Sequence, residues 1–550
     1  MPSNPAVIAR LDRLAPDQRD AATTPPGPVL CVAPAGSGKT TTLVARIAWL
    51  VDSGVDPATV TAITFNRRAA QELAERLTTA LEPLGVAAGK LRVRTFHALG
   101  LEILRESGLP VAPLLDRETV LRTALPRSTV AERRRLDTVI SRLKLDIGAD
   151  ADAVARDPDA GPAARAFVAY ERALAGAGGL DFDDLVVRSI RLLESDDAVL
   201  ERWRARCSHL LVDEAQDLDR SQLRMALLLA APANRIFLVG DDDQSIYGWR
   251  LADVRRLLGL AETSLPGLRR VDLVTNYRCP ASVVARAVRL VERNEERFAK
   301  RIEARPGAPG PLVLAPAGGE ELERCVAVLR AWRHGLAQAG GESTGTPEPT
   351  TAILARTNRE LLPAVVAAVA EDVPFRGAGL ELPVDAAVLD DLMEQLRADD
   401  PGSDRPPLLV AIAALRPSVA GEARDVLRAV LAWAPAFADV EALAAAISAL
   451  RERLARLRRD DAALTLATAH GTKGLEFDHV AVIGMDEGRF PSARSVAESD
   501  EPARALEEER RLAYVAWTRA RRSLVLVYDP EAPSPFLREA FDPSELAPAA

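Results

Sequence analysis

Short runs of apolar residues alternate along the chain with longer stretches in which apolar residues recur every three or four positions. The short runs have the length of buried strands, and the longer stretches have the period of amphipathic helices. This alternation is typical of a parallel α/β sheet. A first series of strands is predicted at 29–32, 60–65, 91–95, 210–212 and 235–239. A second series, which begins near Val271, is predicted at 311–314, 351–355, 464–467, 480–483 and 523–527.

Two stretches interrupt the strand–helix alternation. Residues 99–199 are rich in Ala, Arg, Leu and Asp and predict a helical insertion. Residues 377–460 predict a second, smaller insertion with helices at 380–396 and 426–457 and a loop at 399–407. Another surface loop is predicted at 340–350, which is rich in Gly, Thr, Glu and Pro. The predicted order is a first core (1–98 and 200–275) interrupted by 99–199, then a second core (276–376 and 461–550) interrupted by 377–460.

Composition narrows the class of protein only a little. With 48% hydrophobic and 27% charged residues, the 550-residue chain resembles ordinary globular proteins of three to four domains. Its four cysteines lack CxxC spacing, which argues against a metal site or disulfide framework. We expect a cytoplasmic protein with no membrane partner, because no signal pattern or transmembrane-length apolar run occurs. A net charge of −9 disfavours coating of nucleic acid by bulk charge but permits a locally basic groove.

Residues 29–42 contain the most informative stretch, an apolar strand followed by a Gly/Ser-rich turn and helix-compatible sequence. This context is the one that a phosphate-binding P-loop requires. Small residues at 36–38 let backbone N–H groups converge on phosphate oxygens at a helix N-terminus. Lys39 would reach the β- and γ-phosphates, and Thr40 would hold Mg²⁺. The strict pattern has Gly where this chain has Ala33. The stretch predicts a nucleotide-binding protein.

The predicted strand at 210–212 is followed directly by the acidic pair Asp213 and Glu214. Asp213 would complete the Mg²⁺ shell, and Glu214 would orient and deprotonate the attacking water. A strand-end Asp-Glu alone could equally be a helix cap. Together with the P-loop it predicts an NTPase.

A third strand leads into a polar loop that contains Gln244, Tyr247, Trp249 and Arg250. Gln244 could hydrogen-bond the γ-phosphate and respond to its loss. Tyr247 and Trp249 could stack on nucleobases, at about 1–3 kcal/mol for each stacked base. Core packing is the alternative for these two rings, but the polar loop favours the nucleic-acid role.

These motifs, with others in the same order, resemble UvrD/Rep-type helicases of superfamily 1 from Leu14 to about Tyr528. The remaining stretches that carry the resemblance are Gln18, Ile63-Thr64-Phe65-Asn66-Arg67-Arg68, Arg94-Thr95-Phe96-His97, Thr275-Asn276-Tyr277-Arg278, Ala355-Arg356-Thr357-Asn358, His470-Gly471-Thr472-Lys473-Gly474-Leu475-Glu476 and Tyr514-Val515-Ala516-Trp517-Thr518-Arg519. The resemblance implies two RecA-like cores with ATP between them, and a cleft that closes on binding and reopens on hydrolysis.

The resemblance also implies roles for individual residues. Gln18 and Arg46 would contact the adenine edge, Tyr277 would stack on its ring, and Glu476 would accept from the ribose. Arg278 and Arg519, both assigned to the second core, would act as arginine fingers, which supply roughly 10³–10⁵ in rate. The predicted nucleotide-binding residues are Gln18, Ala35, Gly36, Ser37, Gly38, Lys39, Thr40, Thr41, Arg46, Tyr277 and Glu476.

For DNA the resemblance implies a groove along both cores, with stacking and phosphate contacts of little sequence specificity. The predicted DNA-binding residues are Phe65, Thr95, His97, Tyr247, Trp249, Arg250, Arg356, Asn358, Thr468 and His470. His97 and His470 could instead be buried core histidines. The basic run at 451–459 could be a solvated helix face or a nucleic-acid contact.

The second insertion departs from the family pattern, since it is about half the size of an ordinary domain. Residues 181–184, Asp-Phe-Asp-Asp, match a family feature, and capping of the next helix is their expected role. The motifs predict an ATP- and Mg²⁺-dependent enzyme, and the resemblance implies a DNA helicase that moves 3′ to 5′ on single strands. It also implies action at single-strand/duplex junctions in repair or replication restart, with a possible protein loading partner. The alternatives are a single-strand translocase or helicase-complex subunit with little unwinding of its own and, more distantly, a P-loop NTPase that does not act on nucleic acid.

Overall fold

The computed structural model describes residues 3–316, 319–339, 348–377, 379–380, 382–398, 407–419 and 422–546. The chain forms two compact units, Met1–Ala308 and Pro309–Ala550. This division differs from the predicted boundary after residue 275, because residues 276–308 belong to the first unit. The predicted loops at 340–350 and 399–407 fall largely outside the described residues.

The first unit is built on a six-stranded parallel sheet. Its strands are β1 (Val29–Val32), β2 (Val60–Ile63), β3 (Arg92–Arg94), β4 (His209–Val212), β5 (Ile236–Gly240) and β6 (Arg269–Asp272). Their order across the sheet is β3-β2-β4-β5-β1-β6, and every neighbouring pair is parallel. The prediction that a second series begins near Val271 is wrong, because β6 pairs with β1 in this first sheet. The prediction of parallel α/β architecture is confirmed.

Helices cover both faces of this sheet, which explains why the strands between its two edges, β1, β2, β4 and β5, are buried along their whole length. Leu30 and Val32 point into one core with Leu210 and Val212. Their neighbour Cys31 points into the opposite core. Alternate residues of one strand therefore pack into two different cores, one on each face of the sheet.

Helices before, between and after these strands make up most of the rest of the first unit. They are α1 (Pro5–Asp12), α2 (Pro16–Thr23), α3 (Lys39–Asp52), α4 (Arg67–Leu81), α5 (Phe96–Glu106), α6 (Arg117–Ala124), α7 (Val130–Ser141), α8 (Ala151–Ala155), α9 (Pro162–Gly176), α10 (Asp184–Ser195), α11 (Asp197–Arg206), α12 (Arg220–Ala230), α13 (Val254–Leu258), α14 (Leu260–Thr263) and α15 (Ala281–Val291). From α5 to α11 the chain is helical, a span that contains residues 99–199.

A separate pair of short parallel strands lies near the C-terminal end of the first unit. Strand β7 (Thr275–Asn276) pairs with β8 (Glu303–Ala304). This pairing holds the chain after α15 against the segment that follows β6.

The second unit has its own six-stranded parallel sheet. Its strands are β9 (Leu312–Pro316), β10 (Thr351–Ala355), β11 (Phe375–Arg376), β12 (Leu464–Thr468), β13 (Phe477–Val482) and β14 (Ala520–Tyr528). They lie in the order β11-β12-β10-β13-β14-β9. Its helices are α16 (Glu321–Ala339), α17 (Leu362–Ala370), α18 (Ala387–Ala398), α19 (Leu408–Ala414), α20 (Glu422–Trp433), α21 (Val440–Leu457), α22 (Ala493–Ala497), α23 (Pro502–Trp517), α24 (Pro535–Ala540) and α25 (Pro543–Leu546).

Helices α18 to α21 lie between β11 and β12. The single helix predicted at 426–457 is wrong, because a 3₁₀ turn at Ala434–Ala436 precedes Asp439, which caps a new helix. The two halves meet at 110°. In the described ranges no single helix meets the length and composition needed to cross a membrane, whereas this bent pair meets them jointly.

Candidate functional site

The P-loop follows β1 and passes directly into α3 at Lys39. Gly36 and Gly38 have φ of 69° and 86°, the left-handed conformation that favours glycine. Space also requires glycine, since a Cβ at Gly38 would lie 2.5 Å from Nε2 of Gln18. The buried Ser37 hydroxyl has no hydrogen-bond partner within the described ranges. These features fit a loop whose backbone N–H groups and Ser37 hydroxyl could donate hydrogen bonds to phosphate oxygens.

Gln18 lies behind this loop, on α2. Its Nε2 donates to the carbonyl oxygen of Ser37 at 2.8 Å, and its Oε1 accepts from the Ala15 N–H at 3.1 Å. The side chain is buried. Gln18 therefore braces the P-loop backbone, and its predicted contact with adenine stays a prediction.

Arg46 lies on α3 and contacts the backbone at the end of α2, and its predicted contact with the adenine edge stays a prediction. Its guanidinium is buried, donates to the carbonyl oxygens of Ala21, Ala22 and Thr24, and lies 4.3 Å from the Phe237 ring centroid. Arg46 holds the end of α2 on the sheet.

Asn276, which the sequence analysis did not single out, links the P-loop to the segment after β6. Its Nδ2 donates to the carbonyl oxygen of Ala35 at 2.8 Å, and its Oδ1 accepts from the Arg278 N–H at 2.9 Å. The Tyr277 N–H donates to the Gly36 carbonyl oxygen at 2.9 Å. The assignment of Arg278 to the second core is therefore corrected, since Arg278 and the half-exposed Tyr277 lie beside the P-loop in the first unit.

Lys39 follows β1, and Asp213 and Glu214 follow β4, which is separated from β1 by one strand, β5. The Lys39 Nζ donates to the Ala33 carbonyl oxygen at 3.3 Å. Burial and the charge of Glu214 raise the pKa of Asp213 to about 7, against the opposing charge of Lys39. A buried carboxylate next to another acidic residue could bind a cation, and the Thr40 hydroxyl, partly exposed at the start of α3, could supply a second oxygen. Thr41 is exposed on the same turn.

Glu214 starts a chain of hydrogen bonds that ends at Gln244. Glu214 itself has a φ of 52°, an uncommon conformation for a residue with a side chain. Nε2 of Gln216 donates to Oε2 of Glu214 at 2.6 Å, and Oε1 of Gln216 accepts from the Asp241 N–H at 3.0 Å. Nε2 of Gln244 then donates to Oδ2 of Asp241 at 2.7 Å. The sequence analysis gave no role to Gln216, which lies two residues after Glu214.

Two predicted nucleotide residues lie in the second unit. Arg519 is buried and donates from Nε to the Val515 carbonyl oxygen at 2.8 Å and from Nη1 to the Leu475 carbonyl oxygen at 3.1 Å. Glu476 is exposed and pairs with Arg521 at 3.4 Å. Their roles toward ATP stay predictions.

An aromatic ladder lies on the first unit. Phe65 and Tyr247 stack with ring centroids 5.0 Å apart, and Trp249 meets Tyr247 edge-on at 6.2 Å. The Arg250 guanidinium lies 4.5 Å from the Trp249 ring centroid. Trp249 is 53% exposed, so core packing is wrong for this ring. Phe65, Tyr247, Trp249 and Arg250 thus place an exposed tryptophan ring and a guanidinium beside a stacked pair of rings, a combination on which bases can stack.

A second stacked pair involves His97, on the first turn of α5. Its ring lies 3.9 Å from that of Phe182, which is 54% exposed. Thr95 caps α5, with its hydroxyl accepting from the Ala98 N–H at 3.2 Å. Burial lowers the pKa of His97 to about 4, so the ring is neutral at pH 7. Phe182 is an aromatic surface residue that the sequence analysis assigned only to the capping motif.

The acidic residues around Phe182 are structural. The Asp184 N–H donates to Oδ1 of Asp181 at 2.9 Å at the start of α10, which confirms the capping prediction. Lys144 pairs with Asp181 at 2.9 Å and with Asp184 at 2.8 Å, and Arg117 pairs with Asp181 at 2.8 Å. This buried network anchors the loop that carries Phe182.

The remaining predicted DNA residues lie at the carboxyl ends of β10 and β12, which are adjacent strands. Arg356 pairs with Glu509 through Nε and Nη2. Burial, with the charges of Arg356 and Lys473, lowers the pKa of His470 to about 4. The Thr468 hydroxyl accepts from the Gly471 N–H at 3.3 Å, and Asn358 is exposed.

The basic run at 451–459 is paired within the second unit. Arg451 contacts Asp390, Arg456 contacts Asp372, and Arg458 contacts Asp385. These ion pairs favour the solvated-face interpretation of the run.

Comparison with known families and proteins gives consistent matches. Residues 14–264 match the UvrD/REP helicase N-terminal domain, and residues 436–531 match the UvrD-like helicase C-terminal domain. Similar proteins include the ATP-dependent DNA helicase PcrA of Staphylococcus aureus (strain Mu50), 27% identical over 94% of this chain and 84% of the relative. DNA helicase II of Escherichia coli (strain K12) is 28% identical over the same shares of the two chains. The PcrA helicase of Staphylococcus epidermidis is 27% identical over 93% of this chain and 82% of its own length.

Proposed function

The chain belongs to the UvrD/Rep helicase family, and from that premise we propose that it moves 3′ to 5′ along single-stranded DNA and separates duplex ahead of it. As a member of this family it is an ATP-hydrolysing enzyme that binds DNA. The direction rests on the family resemblance. The proposed setting is DNA repair or replication restart, at single-strand/duplex junctions, with a possible loading protein.

One observation carries the proposed coupling of ATP hydrolysis to DNA. Residues 241–250 contain both Gln244, which is bonded through Asp241 and Gln216 to Glu214, and the ladder residues Tyr247 and Trp249. A change at the γ-phosphate that moves Gln244 would therefore occur three residues from Tyr247 and five residues from Trp249, the rings that would hold a base. Short, continuous covalent and hydrogen-bonded connections of this kind transmit small shifts between two sites.

The proposed hydrolytic step uses groups at the P-loop. Lys39 would leave the Ala33 carbonyl oxygen and bind the β- and γ-phosphates. Thr40 and Asp213 would hold Mg²⁺, which supplies neutralisation of phosphate charge. Glu214 would accept the proton of the attacking water, and Gln244 would contact the γ-phosphate. Arg278, beside Gly36, is the proposed finger from the first unit, and Arg519 the proposed finger from the second.

The second candidate function is single-strand translocation with little strand separation. The described part of the second insertion contains the helices α18 to α21, and arginines of its basic run form ion pairs with aspartates. A reduced, charge-paired insertion offers little surface for duplex, which supports this candidate or a role within a larger helicase assembly.

Strand separation on three substrates tests the proposal: a duplex with a 3′ tail, one with a 5′ tail, and a blunt one. We expect ATP- and Mg²⁺-dependent separation of the 3′-tailed duplex only. The Lys39→Ala variant should neither hydrolyse ATP nor separate strands while still binding single-stranded DNA. Lys90→Ala, at an exposed lysine of the same unit, is the matched control and should behave as wild type.

Separation of only the 5′-tailed duplex would contradict the direction. Single-strand-stimulated ATPase without strand separation at any protein concentration would favour the translocase. Full turnover by Lys39→Ala would contradict the assignment of the P-loop.

A further inference from the structure

A buried lysine outside the predicted motifs contacts the loop that leads to Gln244. The side chain of Lys300 has no exposed surface, and its Nζ lies 2.9 Å from Oδ1 of Asp241 and 2.8 Å from Oδ2 of Asp243. It also pairs with the carboxylate of Asp242, which lies between them. One ammonium group thus contacts three consecutive carboxylates, and none of the three carboxylate side chains is exposed.

The residues before Lys300 complete the contact. Arg297 makes a two-pronged pair with Asp243, Nε to Oδ1 at 3.1 Å and Nη2 to Oδ2 at 3.0 Å. The Phe298 N–H donates to Oδ2 of Asp242 at 2.8 Å. Burial opposes the charge on Lys300, but the three carboxylates outweigh it and hold the pKa of Lys300 above its usual range. The lysine therefore stays charged, and its removal would leave buried carboxylates that repel one another.

Asp241, the first of the three carboxylates, is hydrogen-bonded to residues of the proposed hydrolytic site. Oδ2 of Asp241 accepts from Gln244, while its other oxygen, Oδ1, faces Lys300. The Asp241 N–H donates to Gln216, which donates in turn to Glu214. Just before Asp241, the Gly240 carbonyl oxygen accepts from the Ala33 N–H at the start of the P-loop. Lys300 is thus the charged support behind the general base and the γ-phosphate contact.

The same segment also supports the opposite wall of the site. Three residues after Lys300, β8 pairs with β7, whose Asn276 donates to the Ala35 carbonyl oxygen. Tyr277 follows and donates to Gly36. Residues 297–304 therefore connect the Gln244 loop on one side and the Tyr277–Arg278 segment on the other.

We propose that Lys300 is a positioning residue for ATP hydrolysis, which holds Asp241 and through it Gln244 and Glu214 in the arrangement that the reaction requires. The inference deepens the proposed function and rests on the hydrolytic roles assigned there to Glu214 and Gln244. Lys300 does not contact the phosphates. It acts on kcat rather than on nucleotide binding, because the P-loop's own contacts with ATP are left in place.

The molecule contains a matched control for this proposal. Lys144 in the helical insertion is 4% exposed and likewise pairs with three carboxylates, those of Glu171, Asp181 and Asp184. Lys144 and Lys300 therefore have the same burial and the same chemistry, but only Lys300 is bonded to the loop of Gln244. If kcat falls only because a buried charge is missing, it should fall in both the Lys300 and the Lys144 variants. If it falls because catalytic groups lose their position, it should fall only in the Lys300 variant.

The test compares Lys300→Met and Lys144→Met for DNA-free ATPase kinetics, binding of a non-hydrolysable ATP analogue, and thermal unfolding. Both variants should unfold at lower temperature than wild type. Lys300→Met should bind the analogue within about threefold of wild type but lose about tenfold to a hundredfold in kcat, as a displaced catalytic group does. Lys144→Met should keep the wild-type kcat, and Lys300→Arg, which restores the charge, should recover part of the loss.

If Lys300→Met does not fold, the double variant Lys300→Met with Asp242→Asn removes one cation and one carboxylate together and carries the same expectation. Wild-type kcat in any folded Lys300→Met variant, or equal kcat losses in the Lys300 and Lys144 variants, would overturn the inference. Absence of ATPase in the wild-type protein would instead overturn the proposed function itself, so the two failures are distinguishable.

Discussion

At the scale of single residues, the surroundings of a side chain decide its role more than its type does. Arg46, Arg250 and Arg356 are all arginines within or beside helicase-like motifs. Arg46 is enclosed by backbone carbonyls, Arg250 lies over an exposed tryptophan ring, and Arg356 is held by Glu509. Only Arg250 is exposed at the base-stacking surface. Position within a motif predicts that a residue matters, whereas its contacts specify what it does.

Trp249 provides the first prediction at this scale. Its replacement by alanine should weaken single-stranded DNA binding by about 1–3 kcal/mol, since one stacking surface is lost. Basal ATPase should change little, because Trp249 is exposed and lies outside the phosphate-binding residues. Fluorescence-detected DNA binding and ATPase with and without DNA measure the two effects.

Trp249→Phe is the control, because it keeps a ring and should retain most of the affinity. Equal losses of basal and DNA-stimulated ATPase in Trp249→Ala would instead mean that the ring supports the fold.

The two histidines give a prediction about pH. A protonated histidine would attract phosphate, so DNA affinity would rise as pH falls through its pKa. Burial lowers the pKa of His97 and of His470 to about 4, so both stay neutral at higher pH. We expect no histidine step in single-stranded DNA affinity between about pH 8 and about pH 5.5 at fixed ionic strength.

Equilibrium DNA binding across that range checks this expectation. A rise in affinity centred near pH 6.5 that disappears in His97→Asn or His470→Asn would show that one of the rings is charged.

Local spacing predicted the P-loop, Asp213, Glu214 and Gln244 because each follows a strand by a fixed, short distance. It could not predict the contacts of Asn276 and Gln216. Asn276 bonds to a residue that is 241 positions away in the sequence, and Gln216 bonds to one that is 25 positions away. The contacts of Arg46 with the backbone at the end of α2 were likewise not predicted, because the motif supplies the residue type but not its tertiary neighbours. Contacts distant in sequence depend on tertiary packing, which local patterns do not encode.

At the scale of elements, helices α5 and α10 connect the stacked pair His97 and Phe182 to the core. Helix α5 begins at the cap Thr95 and carries His97, while α10 follows Phe182. Gly100 on α5 permits close approach, since a Cβ there would lie 2.2 Å from the Leu185 carbonyl oxygen on α10. The stacking of His97 on Phe182 therefore depends on how closely these two helices pack.

Gly100→Ala should separate the two helices. We expect it to destabilise the protein by about 1–3 kcal/mol, the usual cost of overpacking, and to weaken DNA binding through displacement of Phe182. Gly176→Ala on α9 is the matched control, because no atom lies within 4 Å of a Cβ placed there. Denaturant unfolding of both variants is the measurement, and equal stabilities would show that α5 and α10 are not tightly packed.

The sequence pattern was reliable for strands buried on both faces, such as β1, β4 and β10, because their apolar runs have few alternatives. It missed β6, whose residues Arg269, Arg270 and Asp272 are charged, and the two-residue strands β7, β8 and β11. Such strands form because neighbouring strands supply hydrogen bonds, rather than because their own side chains favour burial. The break between α20 and α21 was missed because both flanks have helical period.

At the scale of the whole molecule, two sheet-based units form where the alternation of apolar runs predicted them, and the boundary lies later than expected. Residues 276–308 contain an amphipathic helix and polar loops, which fit either unit by pattern. Their place is decided by the pairing of β7 with β8 and by the contact of Lys300 with Asp241. This segment therefore belongs to the same unit as the P-loop, which Asn276 and Tyr277 contact.

The net charge of −9 belongs to the same scale. An acidic protein can bind single-stranded DNA when stacking and a few local cations act together. The ladder of Phe65, Tyr247, Trp249 and Arg250 has this composition. DNA binding should therefore weaken with salt less steeply than binding by a strongly basic protein.

The most direct test of the account is the steady-state ATPase rate of the wild-type protein, titrated with single-stranded DNA at constant salt and Mg²⁺. The connection from Glu214 through Gln244 to the aromatic ladder predicts a rate that rises strongly and saturates as DNA is added, with the rise reduced in Trp249→Ala. An ATPase rate that is indifferent to DNA would contradict the coupling of the two sites and would favour a P-loop NTPase that does not act on nucleic acid.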